Sequence, residues 1–369
     1  MALLFMDSFD HYATADITEK WTAINVTPEI GAYGRNGTNG VRCQASTSVL
    51  GSEALEIGLP VATTGIIGFA AYFDALPGAP ALLVSVFDGS YSRIQLGFFL
   101  GADGGITVRT GEANSGTGWW IWSASYPGTL VGTSAGGVIS EMTWCFIELK
   151  WTINNTTGAF EVRVNGTEVL AETGLNTRNT GSASNSFSSI GLGVGKMSAS
   201  IPHTLAQFDD VYVLDTSGAH NNDFLGDVTI SAHFPDADGT SHAWVCSTGT
   251  PDTGVDHDCV DEVVPNDDTD YLSTNTIDAK STFALADAAA GANIKAIQIV
   301  TSQRKAAEGP GKIKHVVRSN STDYDQTEQG IGGMTYSYLR SIVETDPATG
   351  VAWDEAGFNA VEIGIKKTA

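Results

Sequence analysis

Apolar residues recur at every second position over short stretches of this chain, and the stretches are separated by residues that tolerate left-handed backbone. That pattern restricts the chain to β-rich folds. It runs through Gly65-Ile-Ile-Gly-Phe-Ala-Ala-Tyr-Phe73, Leu82-Leu-Val-Ser-Val-Phe87, Arg93-Ile-Gln-Leu-Gly-Phe-Phe99 and Trp144-Cys-Phe-Ile-Glu-Leu-Lys-Trp151. A period of two puts alternate side chains on opposite faces of a strand. Between these stretches lie Asp88-Gly89, Asp103-Gly104-Gly105, Asn154-Asn155 and Asn165-Gly166, residue types that accept the positive φ of tight hairpin turns. Residues Gly158 to Leu170 are therefore expected to form one hairpin turning at Asn165-Gly166. The first 217 residues hold no helical rhythm for more than two turns, so two sheets covering each other's apolar faces are expected.

The 369 residues exceed one ordinary core, and two domains are expected. The polar, turn-forming stretch Thr216 to Asn222 divides them into a sandwich, residues 1–217, and a smaller β domain, residues 218–369. Strands of the second are expected at Asp227 to His233, Ile294 to Thr301, Lys312 to Arg318, Tyr336 to Val343 and Ala360 to Lys366. Ala284 to Ala292 reads as a short helix or turn, and Pro235 to Asp278 mostly as ordered loop.

Nineteen Lys and Arg against 42 Asp and Glu give a net charge of −23, which opposes binding to nucleic acid or to an anionic membrane. No Lys or Arg occurs between Lys196 and Lys280, where sixteen carboxylates are found; that stretch has to be solvated or neutralised. The N-terminus meets Asp7 and Asp10 before an apolar signal core can form, and no run of about 18 apolar residues offers a membrane span. A chain made in the cytoplasm without a secretory signal is expected, with sequons such as Asn165-Gly-Thr167 unmodified. Cys43, Cys145, Cys246 and Cys259 are too sparse for a disulfide framework and are expected as reduced, buried thiols. Only Cys246 and Cys259 are close enough in sequence to invite a bridge.

Three constellations carry candidate chemistry. Trp119-Trp-Ile-Trp122 with Tyr126 is the densest aromatic group; such rings stack on sugars but more often mark core or protein contacts. Trp119, Trp120, Trp122 and Tyr126 are thus the candidate ligand-binding residues. The acidic run Asp256-His-Asp-Cys-Val-Asp-Glu262 offers Asp256, Asp258, Asp261 and Glu262 as a weak calcium site lacking the EF-hand order, and a solvated loop is the simpler reading. His257 and Cys259 supply too few soft ligands for zinc. Paired catalytic carboxylates at E-x-D-x-E spacing, a G-x-S-x-G serine and a phosphate loop do not occur, and no catalytic residue is assigned.

The motifs Met6-Asp-Ser-Phe-Asp-His-Tyr12, Gly34-Arg-Asn-Gly-Thr-Asn-Gly40 and Phe208-Asp-Asp-Val-Tyr-Val-Leu-Asp215 resemble those of concanavalin A-like, laminin-G-like jelly-roll domains in virion proteins of tailed bacteriophages. Asn222-Asp-Phe-Leu-Gly-Asp-Val228 resembles the junction that follows such domains, and Thr345 to Trp353 with Asn359 to Gly364 resembles the end of the C-terminal β domain. The resemblance implies a non-enzymatic structural protein of tail, fibre or particle surface, located in the virion. Its partners would be other virion proteins and further copies of itself, or a host surface glycan if it is a receptor-binding module. Read without the family, Phe208, Val211 and Val213 face inward, Asp209 and Tyr212 face outward with a bulge at the aspartates, and Pro347 and Gly350 turn Trp353 back onto a sheet.

Overall fold

A computed structural model describes residues 2–24, 28–44, 51–88, 93–111, 128–196, 205–247 and 256–369, with backbone alone at 22–24, 51–54 and 196. Two compact units divide the chain, Ala2–Ile230 and Ser231–Ala369.

In chain order, the strands of the first unit are β1 (Leu3–Asp7), β2 (Thr22–Ile24), β3 (Glu29–Gly31), β4 (Gly40–Gln44), β5 (Gly51–Ala62), β6 (Thr64–Phe73), β7 (Ala81–Phe87), β8 (Ile94–Leu100), β9 (Ile106–Thr110), β10 (Thr129–Thr133), β11 (Cys145–Thr152), β12 (Gly158–Val164), β13 (Thr167–Leu175), β14 (Phe187–Lys196) and β15 (Leu205–Asp215). One sheet runs β13-β12-β11-β6-β15-β4-β3, with β1 also paired to β15; the other runs β10-β9-β8-β7-β14-β5-β2. All pairings are antiparallel, and the neighbours β14 and β5, or β6 and β15, are far apart in sequence, as in a jelly roll. A single turn of helix, α1 (Ile17–Lys20), links β1 to β2.

The sheets meet through aromatic rings. Phe98 of β8 contacts Trp151 of β11 at 6.3 Å and Phe160 of β12 at 6.5 Å, and Trp151 meets Phe187 of β14 at 5.2 Å. Trp151 and Phe187 are fully buried; each such ring contributes roughly 1.5 to 3 kcal/mol of hydrophobic stabilisation. The expected hairpin forms, with Asn165 at φ 50° and Gly166 at φ 75°, the backbone of a type I′ turn. The bulge at Asp209 and Asp210 also forms: the β15–β6 register slips between Asp209 and Tyr212, and Asp210 takes φ 52°.

The second unit contains β16 (Pro235–His242), β17 (Val245–Cys246), β18 (Leu272–Ser273), β19 (Lys280–Leu285), β20 (Ile297–Gln303), β21 (Lys312–Ser319), β22 (Thr322–Asp325), β23 (Gln329–Gly330), β24 (Ser337–Val343), the short helix α2 (Glu355–Asn359) and β25 (Glu362–Lys367). A sheet ordered β16-β19-β25-β21-β22 and the β20–β24 ribbon enclose Ile297, Ile299, Val317, Val343, Trp353 and Phe358. Trp353 is returned by the Asp346–Gly350 turn and donates Nε1–H to the Val343 carbonyl at 3.0 Å.

Two sequence expectations are corrected here, and one left between alternatives is decided. Asp227 to His233 forms no strand, whereas Pro235–His242, read as loop, does. Its side chains do not alternate because it is an edge strand held by backbone pairing to β19 and by Glu362, which accepts from the Thr240 amide and hydroxyl. Of the two alternatives for Ala284 to Ala292, helix or turn, the turn forms: Ala284 and Leu285 end β19, and the Ala292 amide donates to the Ala289 carbonyl. Finally, Cys246 and Cys259 are bridged, with Cα atoms 5.9 Å apart, while Cys43 and Cys145 are free and buried. Closing a loop of this length stabilises by about 3 kcal/mol. Cys259→Ser is accordingly expected to lower the urea midpoint of the second unit, and an unchanged midpoint would show that the bridge carries no stability.

Candidate functional site

Strongly shifted titratable groups mark functional sites more often than chance, and in the first unit they gather on the outward face of the β15-containing sheet. Asp209 is pushed up to about 7, by burial first and then by the charge of Asp210, against hydrogen bonds from Asp210, Arg35 and Thr38. Asp210 and Asp10 are raised too, each chiefly by burial. The Asp209 carboxylate accepts from the Arg35 amide at 3.0 Å, the Thr38 hydroxyl at 3.2 Å and the Asp210 amide at 2.7 Å.

The Arg35 side chain lies over the Phe146 ring at 5.4 Å and donates to Asp210, to Asp227 and to the Val228 carbonyl. These bonds hold residues 223–230 against the sheet. Further along the same segment, Phe224 stacks under Arg163 at 4.2 Å and Asp223 pairs with Lys150 at 2.9 Å. The Leu225 amide donates to the Tyr212 hydroxyl, the Gly226 amide to Glu148 and the Ile230 amide to Asp210. Tyr212 and Glu148 therefore point outward, as alternation requires, yet are buried. This strap also explains why the first unit extends to Ile230, beyond the turn at Thr216 to Asn222.

A second node sits at the start of the chain. Asp7 accepts from the Phe9 amide at 3.0 Å, the Tyr12 hydroxyl at 2.5 Å, Lys20 Nζ at 2.9 Å and Trp21 Nε1 at 2.5 Å. Both Asp7 and Lys20 side chains are completely buried. Burial raises the Asp7 carboxyl, but the Lys20 ammonium and the Tyr12 hydroxyl outweigh it and hold the group below its usual value. His11 is pushed down to about 3 by burial and by Lys20, and so stays neutral. The motifs Met6 to Tyr12, Gly34 to Gly40 and Phe208 to Asp215 thus meet in networks that tie segments together.

The opposite sheet carries a side-chain-poor row whose members Glu56 and Ser85 are buried. Its register aligns Glu56, Gly191, Ser85, Gly97 and Arg109 in one row across five strands. The row faces away from the core, since Val84, Leu96, Phe98 and Leu192 occupy the intervening inward positions. Gly191, Ser85 and Gly97 make a floor with almost no side chains, a composition that marks close approach of a ligand or of other backbone. Glu56 stands at one end and Arg109 at the other, roughly 19 Å apart at the usual strand spacing. Burial raises the Glu56 carboxyl, with the Ser189 hydroxyl opposing.

No family model and no curated protein matches this sequence. Among solved structures, it is similar to alginate lyase vAL-1 from Chlorella virus, at 13% identity over 56% of this chain and 99% of that one, with a TM-score of 0.38. An alginate lyase from Klebsiella pneumoniae is 10% identical over 50% and 83%, TM-score 0.35. A Trypanosoma rangeli sialidase is 14% identical over 47% and 25%, TM-score 0.30, so the chain spans a quarter of that protein's length. These likenesses concern β architecture, and no reaction is read from them. The described residues form an all-β chain: a two-sheet antiparallel sandwich with jelly-roll connections, followed by a smaller β unit. No helix among the described residues is long and apolar enough to cross a membrane.

Of the residues singled out in the sequence, Trp119, Trp120, Trp122 and Tyr126 belong to the β9–β10 connection and lie outside the described residues. The calcium candidates are described but do not converge. Asp256 is buried with its amide on Asp238, Asp258 is turned to His257, and Glu262 accepts from Asn266. The metal-capable group among the described residues is instead Cys246, Cys259 and Asp270. A buried histidine that the sequence reading passed over, His315, lies between the Thr301 and Ser341 hydroxyls, and burial lowers it to about 4. The clamp residue Arg35 was also missed as a functional residue. The hydrogen-bond partners of its side chain lie 175 to 194 residues away, and no local spacing announces them.

Because burial raises Asp209, its contribution to stability is complete below the unfolded carboxyl value and is lost as pH climbs through about 7. Carbon-detected titration of the Asp209 carboxyl is expected to show a midpoint near 7. A midpoint near the ordinary carboxylate value would mean that Asp209 is hydrated and that the cluster is open.

Proposed function

We propose that this chain is a non-catalytic structural protein of a tailed-bacteriophage particle, a rigid β scaffold acting in assembly beside other virion proteins and further copies of itself. One observation carries the reading: the buried charged groups of the sandwich are engaged in holding chain segments. Asp7 accepts four donors, Arg35 fixes the 223–230 strap, and Asp209 accepts three. The two buried glutamates of this unit, Glu56 and Glu148, sit on different sheets and both face away from the core. Two-carboxylate glycoside hydrolysis uses a pair of Asp or Glu; these two glutamates do not form one, and the neighbouring buried carboxylates Asp209 and Asp210 are taken up by Arg35, Thr38 and backbone amides. The motif resemblance supplies the virion context.

Mass spectrometry of gradient-purified particles should recover the chain at fixed stoichiometry, and antibody labelling should place it on the particle. Particles lacking it, or saccharide release from host capsule that a single carboxylate substitution abolishes, would overturn the scaffold reading. A second reading, recognition of a host surface glycan, draws on the side-chain-poor row bounded by Glu56 and Arg109, whose floor is buried and has to be uncovered for a glycan to reach it. A glycan array comparing wild type, Arg109→Ala and Trp120→Ala tests it; equal, featureless binding by all three would exclude it.

A further inference from the structure

The loop structure of the second unit contains a site that neither reading uses. Cys246 ends β17, Cys259 lies on the turn Asp256–Cys259, and Asp270 immediately precedes β18, which pairs with β17. Their ligand atoms all lie within 4.8 Å of one another, and Cys246 Sγ is 3.8 Å from Asp270 Oδ1. Both cysteines are buried. The Asp270 carboxylate is oriented by the Ser247 hydroxyl at 3.3 Å, and its amide by Asn266 at 3.1 Å.

We propose that, when the disulfide is reduced, Cys246, Cys259 and Asp270 bind a borderline-soft divalent cation, zinc(II), with water as fourth ligand. A tetrahedral ion with Zn–S near 2.3 Å and Zn–O near 2.1 Å spaces its sulfur and oxygen ligands about 3.6 Å apart, close to the separation between Cys246 and Asp270. Two thiolates and one carboxylate suit zinc better than calcium, which prefers oxygen alone. Three chain segments contribute ligands, so the ion replaces the covalent cross-link with a coordinate one and keeps the same loop closed. The chemistry balances: a dithiol or phosphine reductant supplies two electrons, the S–S bond breaks, and each sulfur takes a proton. Metal binding then expels those two protons. The oxidised state carries the disulfide and takes no metal there.

The test uses the full chain reduced with a phosphine, freed of reductant under argon and titrated with cadmium(II), whose thiolate complexes absorb in the ultraviolet, and then with zinc in competition. One equivalent of cadmium per chain should produce the thiolate band, absent before reduction. The Cys246→Ser/Cys259→Ser variant, which keeps Cys43 and Cys145, should lose it, with at least 100-fold weaker binding. Asp270→Asn should bind about tenfold more weakly while keeping the band. Limited proteolysis between residues 247 and 271 should be slowed by zinc in the reduced protein alone. If reduction loosens the second unit, zinc is expected to restore its circular dichroism, and failure to do so counts against the site. No reduction-dependent band, a band that persists in the double-serine variant, or Asp270→Asn binding equal to wild type would each overturn the proposal.

Discussion

Replacing Lys20 by methionine is expected to lower the unfolding free energy of the first unit by about 3 to 5 kcal/mol, the usual cost of leaving one member of a buried ion pair without its partner. Lys20 and Asp7 are both fully buried, and the ammonium lies 2.9 Å from the carboxylate. Methionine keeps the stem's volume and its contacts with the Phe5 and Tyr12 rings, over each of which the ammonium lies at 5.5 Å, so the loss isolates the charge. The pH dependence has a defined sign. Asp7 is held below its usual value in the wild type, so its contribution is present above the unfolded carboxyl value and disappears as pH falls through the folded one. In the variant, burial is no longer opposed by the Lys20 charge and only the hydrogen bonds from Phe9, Tyr12 and Trp21 remain against it, so Asp7 rises relative to wild type and the difference between the two proteins should shrink in acid. Urea unfolding at pH 7 and pH 4 measures both; a variant within 1 kcal/mol of wild type at pH 7 would show that the node is hydrated. Adding Asp7→Asn to Lys20→Met should cost less than the sum of the single changes, because the charge left unpaired is then removed.

Arg35→Met should cost a comparable amount, about 3 to 4 kcal/mol, but its mark should be local. The guanidinium bridges Asp210, Asp227 and the Val228 carbonyl; without it Asp210 loses its cation and the strap loses its central anchor. Hydrogen exchange at the Leu225, Gly226 and Ile230 amides, which donate to Tyr212, Glu148 and Asp210, should accelerate well beyond exchange in the β6 and β11 core. Arg35→Lys should recover little, since a point charge on a flexible stem cannot reproduce a planar fork serving several acceptors at once. Uniform acceleration across the unit would instead mean that the strap and the sheet open together.

What could be read from the sequence was whatever local pattern determines. Alternation located β6, β7, β8 and β11, and Asn165-Gly166 located a hairpin, because each feature needs only near neighbours. The paired aspartates announced their bulge for the same reason. Pro235–His242 gave no warning, since an edge strand made of Asp, Gly, Thr, Ser and His lacks the apolar face on which periodicity depends. The alanines after Leu285 read as short helix or turn, and the turn won because residues 280–284 pair with β25 and Ala288 is fixed through its amide to Asn359; tertiary pairing overrides a weak local preference. Arg35 looked like one more turn residue because all its chemistry is long-range. Cys246 and Cys259 were recognised as a possible pair by separation, while the third member of their group, Asp270, read as the end of an acidic stretch, Asn266 to Asp270, that follows the weak calcium candidates and not as a partner of the cysteines.

The pairing of β1 with β15 sets Leu3 opposite Leu214, and the strap then brings the chain back to Asp210 on the same sheet at Ile230, so the polypeptide comes into the unit and leaves it along one pair of neighbouring strands. Such a module can be spliced into a surface loop of another protein, or have its ends joined and reopened elsewhere, without stretching its host. For a lineage that builds new proteins by shuffling parts, this geometry makes the sandwich a portable cassette.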